Sequence, residues 1–261
     1  MALSGVELVL LSVGLGIGAG FLATLLGIGG GAVIVPLLVM AGVDIKVAAP
    51  ASLVAILGTS SGGLRYLHGK GLVDVRVALI LETATATGAV LGVWLFGRLR
   101  SSGLLALFSL VLFLSAIGLY LRERRAEKGD GSYRWPPSPV RLTTALLASL
   151  GAGLLSAMLG IGGGVIKVPI LVLVLGLPIK MAVATSKLMV GITALVGVVG
   201  HTLKGNVNWI LAIPLAVGTY TGATVSSRVL VRLRSRHLYL LAIAYYIVTA
   251  LYLLEKSGLL G

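Results

Sequence analysis

Long apolar runs separated by short charged patches dominate the hydropathy pattern of this chain. Those of the first half fall at about 6–26, 48–64, 75–97 and 104–121. Those of the second half fall at about 142–159, 183–199, 209–230 and 238–254. Because each run approaches or exceeds the length that crosses a bilayer as a helix, the pattern predicts an all-α integral membrane protein.

A glycine motif interrupts each half after its first apolar run. Residues 27–31 read Gly-Ile-Gly-Gly-Gly, and residues 160–164 read the same; we call them the first and second glycine knots. The match continues downstream, where 70–74 resembles 204–208. This periodicity predicts an internal duplication. The expected units are an N-terminal repeat at 1–121, a linker at 122–141 and a C-terminal repeat at 142–261.

The apolar run after the first knot is too short to cross the membrane. Residues 32–41 would span roughly 15 Å as a helix, against a hydrocarbon core of ~30 Å. Pro36 suits the first turn of a helix, so the segment predicts an extended entry followed by a half-helix. In lipid such backbone is tolerated only inside protein or beside a cavity. Each half is therefore predicted to hold a broken-helix re-entrant hairpin plus three transmembrane helices.

The distribution of lysine and arginine indicates how the halves are oriented. If each knot makes a hairpin that returns to its starting side, most basic residues share one side with the linker. If the knots cross fully, the arginines of 228–236 fall opposite the linker. The positive-inside rule favours the hairpin. The interpretation is two inverted repeats, with a cytoplasmic linker and both termini outside.

Composition excludes several classes of protein. The chain is 57% hydrophobic and 11% charged, whereas soluble domains carry roughly 25% charged residues, so no large soluble domain is expected. The net charge of +13 lies mainly in loops, which indicates topology and lipid contacts and not nucleic acid. With no cysteine and three histidines, thiol chemistry is excluded and neither a metal site nor a cofactor is expected.

The knots are the first candidates for a binding site. A broken membrane helix exposes unpaired N–H groups and the positive end of its dipole, which together bind anions. Two inverted copies would direct two such ends at one central site. A dinucleotide fingerprint is disfavoured because a helix, not a strand, precedes each knot; glycines that only permit a tight turn are the plainer alternative. The expected substrate-binding glycines are Gly29, Gly30, Gly31, Gly162, Gly163 and Gly164.

These features resemble the TauE/SafE family of sulfite exporters, permeases of bacteria, archaea and some eukaryotes. The resemblance spans nearly the whole chain and rests on the paired knots with Val-Pro at 35–36 and 168–169, Ala-Ser at 51–52, Ala-Thr-Ser-Lys at 184–187, and the Lys-Gly-x-Val-Asp/Asn turns. It implies small sulfur-containing or organic anions as substrates, such as sulfite, sulfonates and sulfoacetate.

Polar residues within the spans are the remaining candidates. Those expected to bind substrate are Lys167, Lys187, Thr185, Ser186 and Ser52. Lys167 lies beside the second knot, where its ammonium would add to the dipole; the alternatives are a snorkelling lysine or a counter-ion of Glu82. Lys187 follows two hydroxyl residues, with an interfacial loop lysine as its alternative. Since Leu53 occupies the position that matches Lys187, the site should be asymmetric in charge.

Glu82 is the carboxylate that lies well within an apolar run. It is the candidate for coupling transport to protons, because burial favours the protonated form of a carboxyl group. A fixed salt bridge to Lys167 or Lys187 is its alternative. The hydroxyls of Thr59, Ser60, Thr83, Thr85 and Thr87 are expected to bond to helix backbone, and the alternative is that they line a transport pathway.

The sequence thus predicts a membrane transporter of small anions and not an enzyme. We expect a secondary carrier driven by a proton or sodium gradient, in the plasma membrane of a prokaryote. A passive anion channel with the same site is the alternative; a non-transporting partner subunit would not explain two broken hairpins.

Overall fold

The computed structural model describes residues 5–26, 30–126, 133, 136–233 and 235–258. Within these residues the regular structure is helical. The first half contains α1 (Gly5–Leu26), α2 (Gly31–Met40), α3 (Ile45–Ser61), α4 (Leu64–Gly69), α5 (Val75–Phe96) and α6 (Ser101–Ala126). The second half contains α7 (Pro139–Leu159), α8 (Gly164–Pro169), α9 (Ile179–Leu203), α10 (Trp209–Arg232) and α11 (Ser235–Lys256).

The described helices include 8 candidate membrane spans, which confirms the predicted all-α membrane fold. Seven of them are α1, α5, α6, α7, α9, α10 and α11, and the eighth consists of α3 and α4 together. Two shorter apolar segments, Gly31–Met40 and Gly164–Val174, follow the glycine knots. The second of these changes from α-helix to π-helix at Ile170–Val174, directly after Pro169. Neither segment is long enough to cross the membrane alone.

Pro36 lies inside α2, so the expected extended entry with proline in the first helical turn is wrong. The helix begins at Gly31, and a proline at position 36 cannot donate to the carbonyl of Ala32 one turn earlier. The hydroxyl of Tyr245 in α11 donates to that carbonyl at 2.7 Å. A side chain of the second half therefore satisfies the oxygen that the proline leaves without its helical partner.

Glycines let two pairs of spans approach with their backbones in contact. In the α1–α10 pair, a Cβ atom on Gly20 would lie 2.4 Å from the carbonyl oxygen of Thr219. In the α5–α7 pair, a Cβ atom on Gly88 would lie 2.0 Å from that of Leu150. Side chains at these positions would force the helices apart, because membrane helices associate by close packing. The predicted sequence repeat pairs α1 with α7 and α10 with α5, and both helix pairs show this close backbone approach.

Helices α3 and α9, which also correspond, cross at the centre of the molecule. Gly197 of α9 contacts Leu53 of α3, and Gly191 contacts Ser60, so the chain directions of the two helices are opposed. Most residues of both helices are buried. The functional candidates Ser52, Ser186 and Lys187 lie on this central pair.

The repeated turn before α5 and α10 caps both helices in the same way. A carboxylate oxygen of Asp74 accepts from the N–H of Val77 at 3.1 Å. The side-chain oxygen of Asn208 accepts from the N–H of Leu211 at 3.2 Å. These N-caps satisfy N–H groups that the first helical turn leaves without partners.

Candidate functional site

The second glycine knot is a run of left-handed backbone that ends α7 and begins α8. Gly160, Gly162 and Gly163 have φ angles of 69°, 64° and 80°, a region that is strained for residues with a Cβ atom. The carbonyl of Gly160 accepts from the hydroxyl of Ser52 at 2.6 Å. This bond holds the knot against the central helix α3. Ser52, which was predicted to bind substrate, therefore makes a structural contact to the knot.

Replacing Gly162 with valine should destabilise the protein and reduce transport. The backbone strain alone should cost about 1–3 kcal/mol, and the new Cβ atom would lie 2.8 Å from a methyl of Val190. Gly14→Val is the control, since nothing lies within 4 Å of a Cβ at that position. Thermal unfolding in detergent and anion flux in proteoliposomes measure both effects. Wild-type flux from well-folded Gly162→Val protein would reduce the knot to a tolerant linker.

The first glycine knot is described only in part, because Gly27, Ile28 and Gly29 lie outside the described residues. Gly30 precedes α2, and its N–H donates to the hydroxyl of Thr59 at 3.3 Å. A Cβ atom on Gly31 would lie 1.8 Å from the carbonyl oxygen of Gly160. The two knots therefore touch each other at the centre of the protein.

Lys167 and Glu82 form a buried ion pair beside the second knot. The Nζ atom of Lys167 lies 3.0 Å from Oε2 of Glu82, and both side chains are buried. Thr193 of α9 lies between them: Lys167 donates to its hydroxyl, which in turn donates to Oε1 of Glu82. The aliphatic part of Lys167 packs against Gly163. The sequence alternative of a counter-ion for Glu82 is the arrangement observed, and Thr193 is the member that sequence reasoning missed.

Lys187 lies inside α9, near a small cavity lined by hydroxyl groups. Its Nζ atom donates to the hydroxyl of Thr24 at 3.0 Å and to that of Ser227 at 3.4 Å. In the part of the chain that the structure describes, no carboxylate lies within salt-bridge distance of it. The cavity measures about 10 Å³, enough for about one water molecule. A buried cation without an acidic partner is costly, and a bound anion would offset that cost.

Helices α1, α3, α4 and α9 line this cavity. Its lining includes Thr24 of α1, Thr59 and Ser60 of α3, and Ser186 and Lys187 of α9. Gly30 of the first knot does not line the cavity, but its N–H donates to the hydroxyl of Thr59, which does. Lys167 and the second knot are not among its lining residues. The structure thus separates the predicted site residues into two groups, one around Lys187 and one around the Lys167–Glu82 pair.

Thr185 belongs to neither group. Its hydroxyl accepts from the backbone N–H of Asp74 at 2.9 Å, which ties α9 to the turn before α5. The carboxylate of Asp74 accepts from the hydroxyl of Tyr133 in the linker. Burial and this hydrogen bond raise the pKa of Tyr133, so its phenol stays protonated and remains a donor. The linker is thereby connected to the helix that carries Lys187.

Apolar helices that enclose buried lysines and hydroxyl groups define a multi-pass membrane protein of the transporter class. The chain belongs to the sulfite exporter TauE/SafE family, whose model matches residues 12–253. The resemblance read from the knots is therefore confirmed.

Curated relatives cover most of this chain. It is 30% identical over 235 residues to the "Probable membrane transporter protein YunE" of Bacillus subtilis (strain 168), covering 82% of this chain and 86% of the relative. It is 29% identical over 253 residues to a "Probable membrane transporter protein" of Xylella fastidiosa (strain Temecula1 / ATCC 700964), covering 93% and 96%. No solved structure matches it. The family and these relatives are named as transporters, so the chain is a transporter and not an enzyme.

Proposed function

We propose that this protein is a secondary transporter of small sulfur-containing or organic anions in the plasma membrane of a prokaryote. The substrate anion binds beside Lys187, where the cavity of about 10 Å³ has to widen to hold it. The observation that carries this proposal is the lysine itself, which is buried and whose described polar contacts are the hydroxyls of Thr24 and Ser227. A bound anion would offset the cost of that buried charge.

The balance of charge favours a singly charged substrate. The charge of Lys167 is compensated by Glu82, so Lys187 supplies the uncompensated positive charge of the described interior. A sulfonate or hydrogen sulfite would neutralise it. A dianion such as sulfate would leave one negative charge in a low-dielectric interior, which is unfavourable.

Coupling to protons is assigned to Glu82. When Glu82 takes up a proton, its pairing with Lys167 weakens, which leaves a second cation in the interior. Thr193, which contacts both groups, lies on α9 together with Lys187. A change in the ion pair can therefore reach the anion cavity through one helix. Sodium remains the alternative coupling ion.

The two halves are proposed to be inverted repeats at 1–121 and 142–261, joined by a cytoplasmic linker. Support comes from the opposed directions of α3 and α9, the matching helices of the two halves. An inverted repeat requires corresponding spans to run in opposite directions across the membrane. The basic residues of the linker and of 228–236 then share the cytoplasmic side.

Cysteine labelling tests this topology in a chain that has no cysteine of its own. Ser102→Cys should react with a membrane-impermeant maleimide added outside intact cells. Ser132→Cys should react only after the membrane is permeabilised. If both positions label from the same face, the inverted arrangement is wrong.

Transport itself is tested in proteoliposomes with radiolabelled sulfite, sulfate and methanesulfonate under imposed pH and sodium gradients. We expect saturable methanesulfonate flux, counterflow, and acceleration by a pH gradient that Glu82→Gln abolishes. Flux without counterflow or coupling would indicate the passive channel. A cavity of about 10 Å³ holds about one water molecule, which fits a closed carrier better than an open pore. Wild-type protein that moves none of these anions would overturn the proposed function.

A further inference from the structure

Ser60 lines the Lys187 cavity with an uncommitted hydroxyl group. It lies in the last turn of α3 and is 5% exposed. Its Oγ atom has no hydrogen-bond partner among the described residues, so the expectation that it bonds to helix backbone is wrong. Buried hydroxyls normally have a hydrogen-bond partner. Because the Ser60 hydroxyl lines a cavity together with a buried lysine, a ligand in that cavity could be its partner.

Two of the hydroxyls that line the cavity beside Ser60 have already used their single proton. Thr59 donates to the carbonyl of Ile56 at 2.9 Å, and Ser186 donates to that of Val183 at 2.9 Å. Both can accept from a ligand, but they cannot donate to one without breaking those bonds. An anion needs donors. Ser60 is therefore better prepared to bind an anion than either of these hydroxyls.

The packing of α3 on α9 places Ser60 close to Lys187. A Cβ atom on Gly191 would lie 3.0 Å from Cβ of Ser60. Gly191 follows Lys187 by one helical turn, so the two residues lie on the same face of α9. The missing side chain at Gly191 leaves room for Ser60 against that face.

We propose that Ser60 makes this site selective for oxoanions over halides, by donating its hydroxyl to one anion oxygen while Lys187 binds another. This inference rests on the proposed anion transport. A sulfonate or sulfite head group has several oxygens, so it can contact both donors at once. A halide is a single centre that Lys187 can bind alone.

The test compares Ser60→Ala with Ser61→Ala, its neighbour in the chain. Ser61 is exposed, and its hydroxyl donates to the carbonyl of Leu57 at 2.6 Å. Two quantities are measured in proteoliposomes: the half-saturation concentration of methanesulfonate flux, and the inhibition constant of bromide against that flux. Ser60→Ala should raise the half-saturation concentration about tenfold or more, as expected for a hydrogen bond to a charged group. It should leave the inhibition constant of bromide unchanged. Ser61→Ala should change neither.

Ser60→Cys is the second variant, because it keeps the shape of serine but is a weak donor. It should behave as Ser60→Ala does, and it supplies the measurement if the alanine variant aggregates. Unchanged half-saturation in both variants, or an equal weakening for methanesulfonate and bromide, would overturn the role of Ser60 and leave the proposed function standing. Absence of flux in the wild-type protein would instead refute the proposed function.

Discussion

Lys187→Met should raise the half-saturation concentration for anion transport by at least about a hundredfold. Removing one partner of a buried charge pair costs about 3–5 kcal/mol, and each 1.4 kcal/mol corresponds to about tenfold. Here the partner is the bound anion, so the substitution destabilises the anion-bound state and weakens anion binding. The empty protein loses a buried cation that has no acidic partner among the described residues, and its melting temperature should not fall.

Lys180→Met is the matched control for this substitution. Lys180 also lies on α9, but its Nζ atom donates to the backbone carbonyl of Val231 at 2.9 Å, and its side chain is partly exposed. Its replacement should leave half-saturation unchanged. Saturable flux with wild-type affinity from Lys187→Met protein would remove Lys187 from the substrate site.

Lys167→Met should instead destabilise the protein by about 3–5 kcal/mol, because it leaves the carboxylate of Glu82 unpaired in the interior. Adding Glu82→Gln removes that charge, so the double variant should recover most of the lost stability. Thermal unfolding of the single and double variants in detergent measures the effect. A double variant no more stable than Lys167→Met would show that the two residues are not an energetic pair.

The same double variant decides between two roles for Lys167. If Lys167 serves only Glu82, counterflow of methanesulfonate should return with an unchanged half-saturation concentration, while coupling to pH is lost. If the refolded double variant has a tenfold or greater loss of affinity, Lys167 contributes to anion binding as the sequence suggested.

The spans and the short apolar helices after the knots were predictable because they follow from local features of the chain. Apolar run length determines which segments can cross a bilayer, and the short runs after the knots are visible by inspection. The position of Pro36 was misjudged because the carbonyl of Ala32 finds its partner in Tyr245, a residue 213 positions away in the chain. A contact of that range leaves no local signal.

The site was predictable only as a set of chemical types. Lys187 and Lys167 were both identified as buried-charge candidates. Only tertiary packing distinguishes Lys167, which has a carboxylate partner, from Lys187, which has none in the described part of the chain. Lys187 meets Thr24 and Ser227 across separations of 163 and 40 residues. The difference between Thr59 and Ser60 depends on which hydroxyl reaches a carbonyl, and adjacent hydroxyl residues in a sequence carry no information on that.

Anomalous diffraction from crystals grown with selenite tests the central claim most directly. Selenite shares the pyramidal oxygens of sulfite, and selenium can be located without ambiguity in a protein that contains none. The account predicts one selenium peak in the cavity between α1, α3 and α9, with an oxygen within hydrogen-bond distance of Nζ of Lys187. A peak beside Lys167 and the second knot, or none in transport-competent protein at saturating selenite, would contradict it.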